Sequence, residues 1–317
     1  MSGRIEDLTD ERLLSREGQR DHAALWSASS RRGVVVAAHY HASAAGAEVL
    51  EAGGNVIDAA IATSLALGVV EPAASGLGGM GMMLFHDAQT GRTTCLEGAC
   101  RAPKRATPEQ VAQGPRKNTH NAVALPGLPA LLGHVHQHFG TKELGELCAP
   151  AIRLASEGYP TTSFQQHLAQ VYERPLKRLG CAAHFLGDDG EPKPPGTWFR
   201  QPALAQTLLR LSDVGFEDFY IGEVGRKIVK DMSAHQGFLS ALDFETVPEI
   251  GQMEPLVGHF GTLDIRTLPP PGGGVTLLQL LHLFDEVAPE RFEPDTPDGA
   301  LLFAMLVQQA RMQRRAH

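Results

Sequence analysis

The chain has 317 residues, 43% hydrophobic and 20% charged, a composition that suits a soluble globular protein with a large buried core. A net charge of −8 argues against a general nucleic-acid binder, which would carry a basic patch or stripe. Four cysteines (Cys95, Cys100, Cys148, Cys181) without CxxC spacing suit a reducing compartment, and no apolar leader or bilayer-length apolar stretch is visible, so a cytoplasmic location with no membrane partner is expected.

Residues 1–32 read as a polar lead-in with a short helix around Leu8–Arg16, and residues 33–317 as the folded domain. Val34–Ala38 is a continuous apolar run, the pattern of a short strand buried on both faces. An alanine-rich helix is expected over about Ala42–Ala52, stopped by Gly53-Gly54, where glycine can take a left-handed conformation. Asn55 suits the N-cap of a second helix, on which Ile57, Ala60, Ile61, Ser64 and Leu65 fall at i, i+3, i+4, i+7 and i+8. So many alanines imply close approach of these helices to each other or to a sheet.

Gly76-Leu77-Gly78-Gly79-Met80-Gly81 satisfies GxGxxG literally, but that motif signals a dinucleotide only between a strand and a helix. Here a helix precedes it, and Met82–His86, a turn at Asp87–Gly91 and Thr93–Leu96 read as a hairpin. A tight loop whose backbone approaches a strand or a substrate is the better reading. Leu125-Pro126-Gly127 opens a helix through about His138 that carries His134, His136 and His138. On a helix His136 points away from the other two, which leaves an i, i+4 pair without a carboxylate, so no metal set is assigned. His39 and His41 would share one face of an extended segment, yet two ligands alone do not make a site.

Further helices are expected at Leu144–Gly158, Ser163–Leu179, Pro202–Gly215 and Glu223–His235. Gly187–Gly196 reads as a surface loop and Phe216–Gly222 as an aromatic turn. A strand-like section from Glu249 to Thr267 ends in Pro269-Pro270-Pro271-Gly272-Gly273-Gly274, a helix-entry loop or an active-site border, before a helix at Val275–Val287. The last helix, about Gly299–Arg315, places Leu302, Met305, Leu306 and Gln309 on one face. No GxSxG elbow, Walker A loop, HExxH or EF-hand loop is present. From the residues alone this is an α/β or α+β protein with a glycine loop and no self-evident catalytic group.

The block from Gly33 to Pro108 resembles the N-terminal part of the gamma-glutamyltransferase (glutathione hydrolase) family. His39 with AGAEVLEAGGNVIDAAIATSLALGVVEP resembles the family's first strand and helix pair, GLGGMGMMLFH its glycine loop and strand, and Ala102–Pro108 (APKRATP) its APxxAT segment. Leu125-Pro126-Gly127, Gly140-Thr141, Pro150-Ala151, Leu154-Ala155, Gly158, Phe219-Tyr220, Gly222 and the PPPGGG run follow in the family's order. The resemblance implies an α+β fold, the Ntn-hydrolase αββα sandwich, present here as an incomplete large-chain part. It also implies amide hydrolysis or acyl transfer through an acyl-enzyme on a threonine that opens a small chain. That threonine's α-amine serves as its base, and backbone amides hold the oxyanion.

Two departures follow from the resemblance. The Thr-Thr-His-type motif that opens the small chain is absent, and Thr161-Thr162 reads as a helix N-terminal cap instead. No catalytic residue is therefore expected within this chain, no cofactor is expected, and a small catalytic chain is the expected partner, with a small-molecule amide as substrate. The family's arginine for the γ-glutamyl α-carboxylate lies three residues before the Ala-Pro of APxxAT, and that position is Ala99. Arg101, two residues on, shares a face with Ala99 if the segment is a strand, so Ala99 and Arg101 are the candidate substrate-binding positions. The alternative is a non-catalytic remnant or binding protein that keeps the first half of the fold.

Overall fold

The computed structural model describes residues 29–113, 119–178, 181–287, 293 and 296–316, so the helix expected at Leu8–Arg16 and the end of the one expected at Ser163–Leu179 lie outside the described residues. Two helices begin the described domain, α1 (Tyr40–Glu51) and α2 (Val56–Val70). Gly53, with φ +83°, ends the first in the left-handed region. Asn55 starts the second with a reciprocal cap: its Oδ1 accepts from the amides of Ile57 and Asp58 at 2.8 and 2.9 Å, while Asp58 accepts the Asn55 amide at 2.9 Å. The helices cross closely, since a Cβ on Gly46 would run into Thr63.

Asp58 also ties α2 to a later part of the chain. Its buried carboxylate accepts from the Thr141 amide at 2.9 Å, the Lys142 amide at 3.3 Å and the Thr141 hydroxyl. Asn55 adds a bond from its side-chain amide to the Phe139 carbonyl at 2.7 Å. These bonds fix the turn between the helices that line the next layer, whose apolar faces bury Val135, Leu147, Ala151 and Ala155.

The hairpin follows as read from the sequence. Strands β1 (Gly81–Asp87) and β2 (Arg92–Gly98) pair antiparallel, Gly81 opposite Gly98 and Asp87 opposite Arg92, around a turn in which Gly91 takes φ +69°. After the short helix α3 (Pro108–Ala112) come α4 (Leu128–Phe139) and α5 (Leu144–Glu157). Two-residue β3 (Tyr159–Pro160) leads to α6 (Ser163–Val171), α7 (Glu173–Arg178) and α8 (Ala182–Phe185), so the single helix expected from Ser163 breaks at Tyr172. Thr162 caps α6, its hydroxyl accepting the Gln165 amide at 3.1 Å, the structural role expected for it. Strand β4 (Trp198–Phe199) pairs with β3, and α9 (Pro202–Val214) packs on α5.

Phe216, Phe219 and Tyr220 bury around the one-turn helix α10 (Asp218–Ile221), and α11 (Glu223–Ala234) follows. Asp218 receives a two-point bond from Arg210, both contacts at 2.8 Å, and accepts the amides of Glu223 and Val224 that start α11. Strand β5 (Gly251–Met253) adds to β2, which gives the order β1-β2-β5, and β6 (Leu256–Phe260) pairs with β7 (Leu263–Thr267). The triproline–triglycine run is a helix-entry loop: α12 begins at Gly274 and runs to Glu286, and α13 (Pro297–Ala316) packs on it. The content is α+β. Among the described residues the strands form sheets of three, two and two strands, so the broad paired sheets of a complete sandwich are not made by these residues alone.

Two expectations are corrected. Val34–Ala38 is not a strand; no neighbour pairs with it among the described residues, and Val36 is 85% exposed rather than buried. A strand is made by its partners as much as by its own side chains, and an apolar run alone does not supply them. On α13 the packed residues are Leu302, Leu306 and Ala310, whereas Met305 and Gln309 face solvent, because α12 and not the most apolar stripe sets the inward face. No helix among the described residues is long and apolar enough to cross a membrane.

Candidate functional site

From α2 the chain turns at Glu71-Pro72 and loops over Ala73–Met80 into β1. Close backbone approach shapes this loop on both sides. A Cβ on Gly68 would sit 3.1 Å from the Gly76 Cα, so α2 and the loop touch through their main chains. The Gly79 carbonyl accepts the amides of Gly127 and Leu128 at 3.1 and 3.2 Å, which docks the loop on the start of α4. Gly127 in turn lies so near the end of β2 that a Cβ would run into the carbonyl oxygens of Gly98 and Ala99. A strand, not a helix, follows the loop, so no helix N-terminus stands behind the glycines to receive a pyrophosphate.

Between α2, the loop, β1 and α4 lies an open cleft of about 770 Å³. Ala60, Ser64 and Leu67 form one wall, Leu128 and Leu131 face them, and Met80 stands at the loop, 52% exposed. Its polar side chains are the hydroxyls of Ser64 and Ser75; none of its lining residues can titrate. A serine without an adjacent base is not an activated nucleophile. The cleft can thus enclose an apolar or acyl group and meet it with main-chain dipoles, but its walls neither take nor give a proton.

Ala99 and Arg101 lie beyond the end of β2, which stops at Gly98, and neither lines the cleft. Ala99 is half-buried against Gly127, and Arg101 is exposed. The Arg101 main chain forms a bridge with Leu125, its amide 3.0 Å from the Leu125 carbonyl, and its Nη2 donates to the Glu249 carbonyl at 2.5 Å. The β2–β5 pairing ends at Glu97 opposite Gly251, so Glu249 lies two residues before β5 and outside the paired strands. The Arg101 guanidinium therefore ties the segment after β2 to the segment before β5. The following segment is pinned by Lys104, whose amide donates to Asp243 at 2.7 Å.

His39 and His41 do not share a face of a strand. His39 is the N-cap of α1, its Nδ1 accepting the His41 amide at 3.2 Å, and His41 lies in the first turn of the helix. The two rings stack 5.4 Å apart, with Tyr159 edge-on to both. Burial first, and the neighbouring His41 second, hold the His39 pKa down at about 4. Of the three histidines on α4, His134 and His138 stack at 4.2 Å while His136 donates to the Lys142 carbonyl at 2.9 Å, the split expected from helical spacing. Among the described residues His120, Asp231 and His235 bring ligand-type atoms within 4.8 Å of one another, a grouping that sequence spacing did not assemble, but the two rings stack face to face at 4.3 Å and His235 Nδ1 donates to the Asp231 carbonyl at 2.9 Å, so they do not converge on one point. Cys95, Cys100 and Cys148 are free thiols.

Residues 42–316 match the family model described as gamma-glutamyltranspeptidase. The chain is 35% identical over 262 residues to the glutathione hydrolase proenzyme of Bacillus subtilis (strain 168), covering 80% of this chain and 44% of that protein. It is 34% identical over 274 residues to the acylase ACY 1 proenzyme of Pseudomonas sp. (strain SE83), covering 81% of this chain and 48% of that protein. The fold superposes on the crystal structure of Helicobacter pylori gamma-glutamyltranspeptidase with a TM-score of 0.83 and 30% identity, over 91% of this chain and 85% of that one. The chain thus spans about half the length of the curated relatives it matches.

Proposed function

The chain belongs to the gamma-glutamyltranspeptidase family, and on that premise we propose that it is the large-chain portion of an amide hydrolase or acyl transferase whose threonine nucleophile comes from a small chain. The observation that carries this reading is the cleft itself. It is sized for a substrate group or a packed segment, yet its lining holds no titratable side chain, so the acid–base work must enter from outside it. Exposed apolar residues support a protein cover: Val34 and Val36 before α1, and Met80 and Leu84 at the cleft, would all be desolvated by a packed partner. In that assembly the partner's threonine forms the acyl-enzyme, and water or an amine completes hydrolysis or transfer.

Arg101 is the proposed substrate contact. Its guanidinium carries five donors, one of which is engaged at Glu249, and it stands two residues along the chain from Ala99, whose methyl cannot bind a carboxylate. Relatives named as glutathione hydrolases and as acylases both match this chain, so the substrate class proposed is an amide whose acyl part carries a carboxylate, with the γ-glutamyl group as the first candidate.

The test is reconstitution. The purified chain is mixed with a small chain of the family, and co-purification and γ-glutamyl-anilide hydrolysis are measured. A stable pair with activity is the expected result. A monodisperse chain that neither binds a small chain nor gains activity would refute the proposal in favour of a non-catalytic binding protein.

A further inference from the structure

Helix α13 has 20 residues, which makes it about 30 Å long. It is anchored along one side only. Gly299, Leu306 and Ala310 are buried on that side, and Phe303 sets its ring 6.0 Å from Phe284 of α12. On the side turned away from them Asp298, Leu301, Met305, Gln308 and Met312 are all exposed, the leucine by 60% and the two methionines by 59% and 52%. Their successive spacings are 3, 4, 3 and 4 residues, which keeps them in one stripe along the helix. A 3–4 repeat is the seam by which one helix packs on another, and the three apolar members here gain from being taken out of water.

The stripe is complementary to itself. In an antiparallel pair with its two-fold axis between Leu306 and Val307, position 301 faces position 312 of the second copy and position 305 faces 308, because both pairs share one midpoint. The same arrangement brings Asp298, in the first turn, to the last turns of the copy, where Arg311 and Arg314 are exposed, and it opposes the two helix dipoles. A parallel pair would instead gather like charges at both ends. Gln308 beside Met305 is the kind of uncharged polar group that fixes orientation in such a seam. We propose that α13 is a self-association face, through which two copies of this chain pair antiparallel along Leu301, Met305, Gln308 and Met312. None of these residues lines the cleft, so pairing leaves it open, and the proposal stands apart from the amide-hydrolase reading.

The test is sedimentation equilibrium of the full chain from about 1 to about 100 μM, the range in which an interface of one helix pair should associate. A monomer–dimer equilibrium is expected. Met305→Glu puts a carboxylate in the middle of the seam and should weaken the dimer at least about tenfold, while the exposed site leaves the melting temperature of the monomer unchanged. The control is Val214→Glu at the end of α9, where an apolar side chain is also 53% exposed; it should leave the dimer intact. Register is read by disulfide trapping. A mixture of Leu301→Cys and Met312→Cys chains should cross-link, whereas Leu301→Cys alone should not, since the two copies of position 301 stand about 16 Å apart along the antiparallel pair. A monomer throughout the range, a dimer unchanged by Met305→Glu or lost in Val214→Glu, or trapping of Leu301→Cys with itself would overturn the proposal. A monomeric chain whose binding of an added small chain is lost in Met305→Glu would overturn it too, and would assign the seam to that small chain.

Discussion

Replacing His39 by asparagine should flatten the stability of this chain against pH. Its Nδ1 accepts the His41 amide at 3.2 Å, which leaves the proton of the neutral ring on Nε2, and that nitrogen is buried without a hydrogen-bond partner. Adding a second proton would put a hydrogen on Nδ1, remove the cap and charge a ring that is 7% exposed beside His41. The folded pKa is accordingly about 4, against 6.5 for the free side chain. Between those values the unfolded chain binds a proton that the folded chain does not, so stability falls as pH drops through this window. At about 1.4 kcal/mol per pH unit the whole gap is worth about 3 kcal/mol, and about 2 kcal/mol of it is lost between pH 6.5 and pH 5. Asparagine also caps helices but does not titrate. Urea unfolding of wild type and His39→Asn at pH 7 and pH 5 isolates the effect, because every other group stays in both chains. The wild type should lose about 2 kcal/mol more than the variant on acidification. Parallel losses in the two proteins would refute the assignment.

Gly127→Ala should cost about 2 kcal/mol or more, because the new methyl meets two main-chain oxygens that cannot rotate away; an unchanged melting temperature would show that β2 and α4 separate freely. Asp218→Asn should cost about 2 kcal/mol by weakening the Arg210 pair and the caps on α11. The hydrogen bonds from Arg210 hold the Asp218 carboxyl far below its usual 3.8, so this contribution is present above about pH 4 and is lost as the pH falls further. Acid unfolding of wild type and variant should converge there, and curves that stay apart would contradict the pairing. In a reconstituted enzyme Ala99→Arg should lower KM for γ-glutamyl amides about tenfold while leaving simple acyl amides unchanged, and Arg101→Ala should raise it; equal effects on both substrate classes would remove these positions from carboxylate recognition.

What the sequence made legible was local. Gly53, Asn55 and Thr162 end or cap their helices through bonds spanning a few residues, and the hairpin turn at Asp87–Gly91 is likewise self-contained. Val34–Ala38 departs from the expected strand because strand formation depends on a pairing edge that the run itself does not encode. Strand alternation puts His39 and His41 on one face, whereas the helix starts one residue after His39. The cleft depends on Gly79 meeting Gly127 and on Gly68 meeting Gly76, contacts between segments that no periodicity joins. The Asp231–His235 spacing was visible as i, i+4, but His120, which stacks on His235, arrives from far earlier in the chain.

In the proposed assembly, a cleft whose walls cannot ionise would divide the properties of the enzyme between its two polypeptides. The limbs of its pH–rate profile would report groups on the other chain, since no residue lining this one changes charge. Substitutions at Ala60, Ser64 or Leu131 would then select among substrates by shape and polarity while leaving the pH optimum in place. Such a wall can diversify from one relative to the next without retuning the chemistry it surrounds.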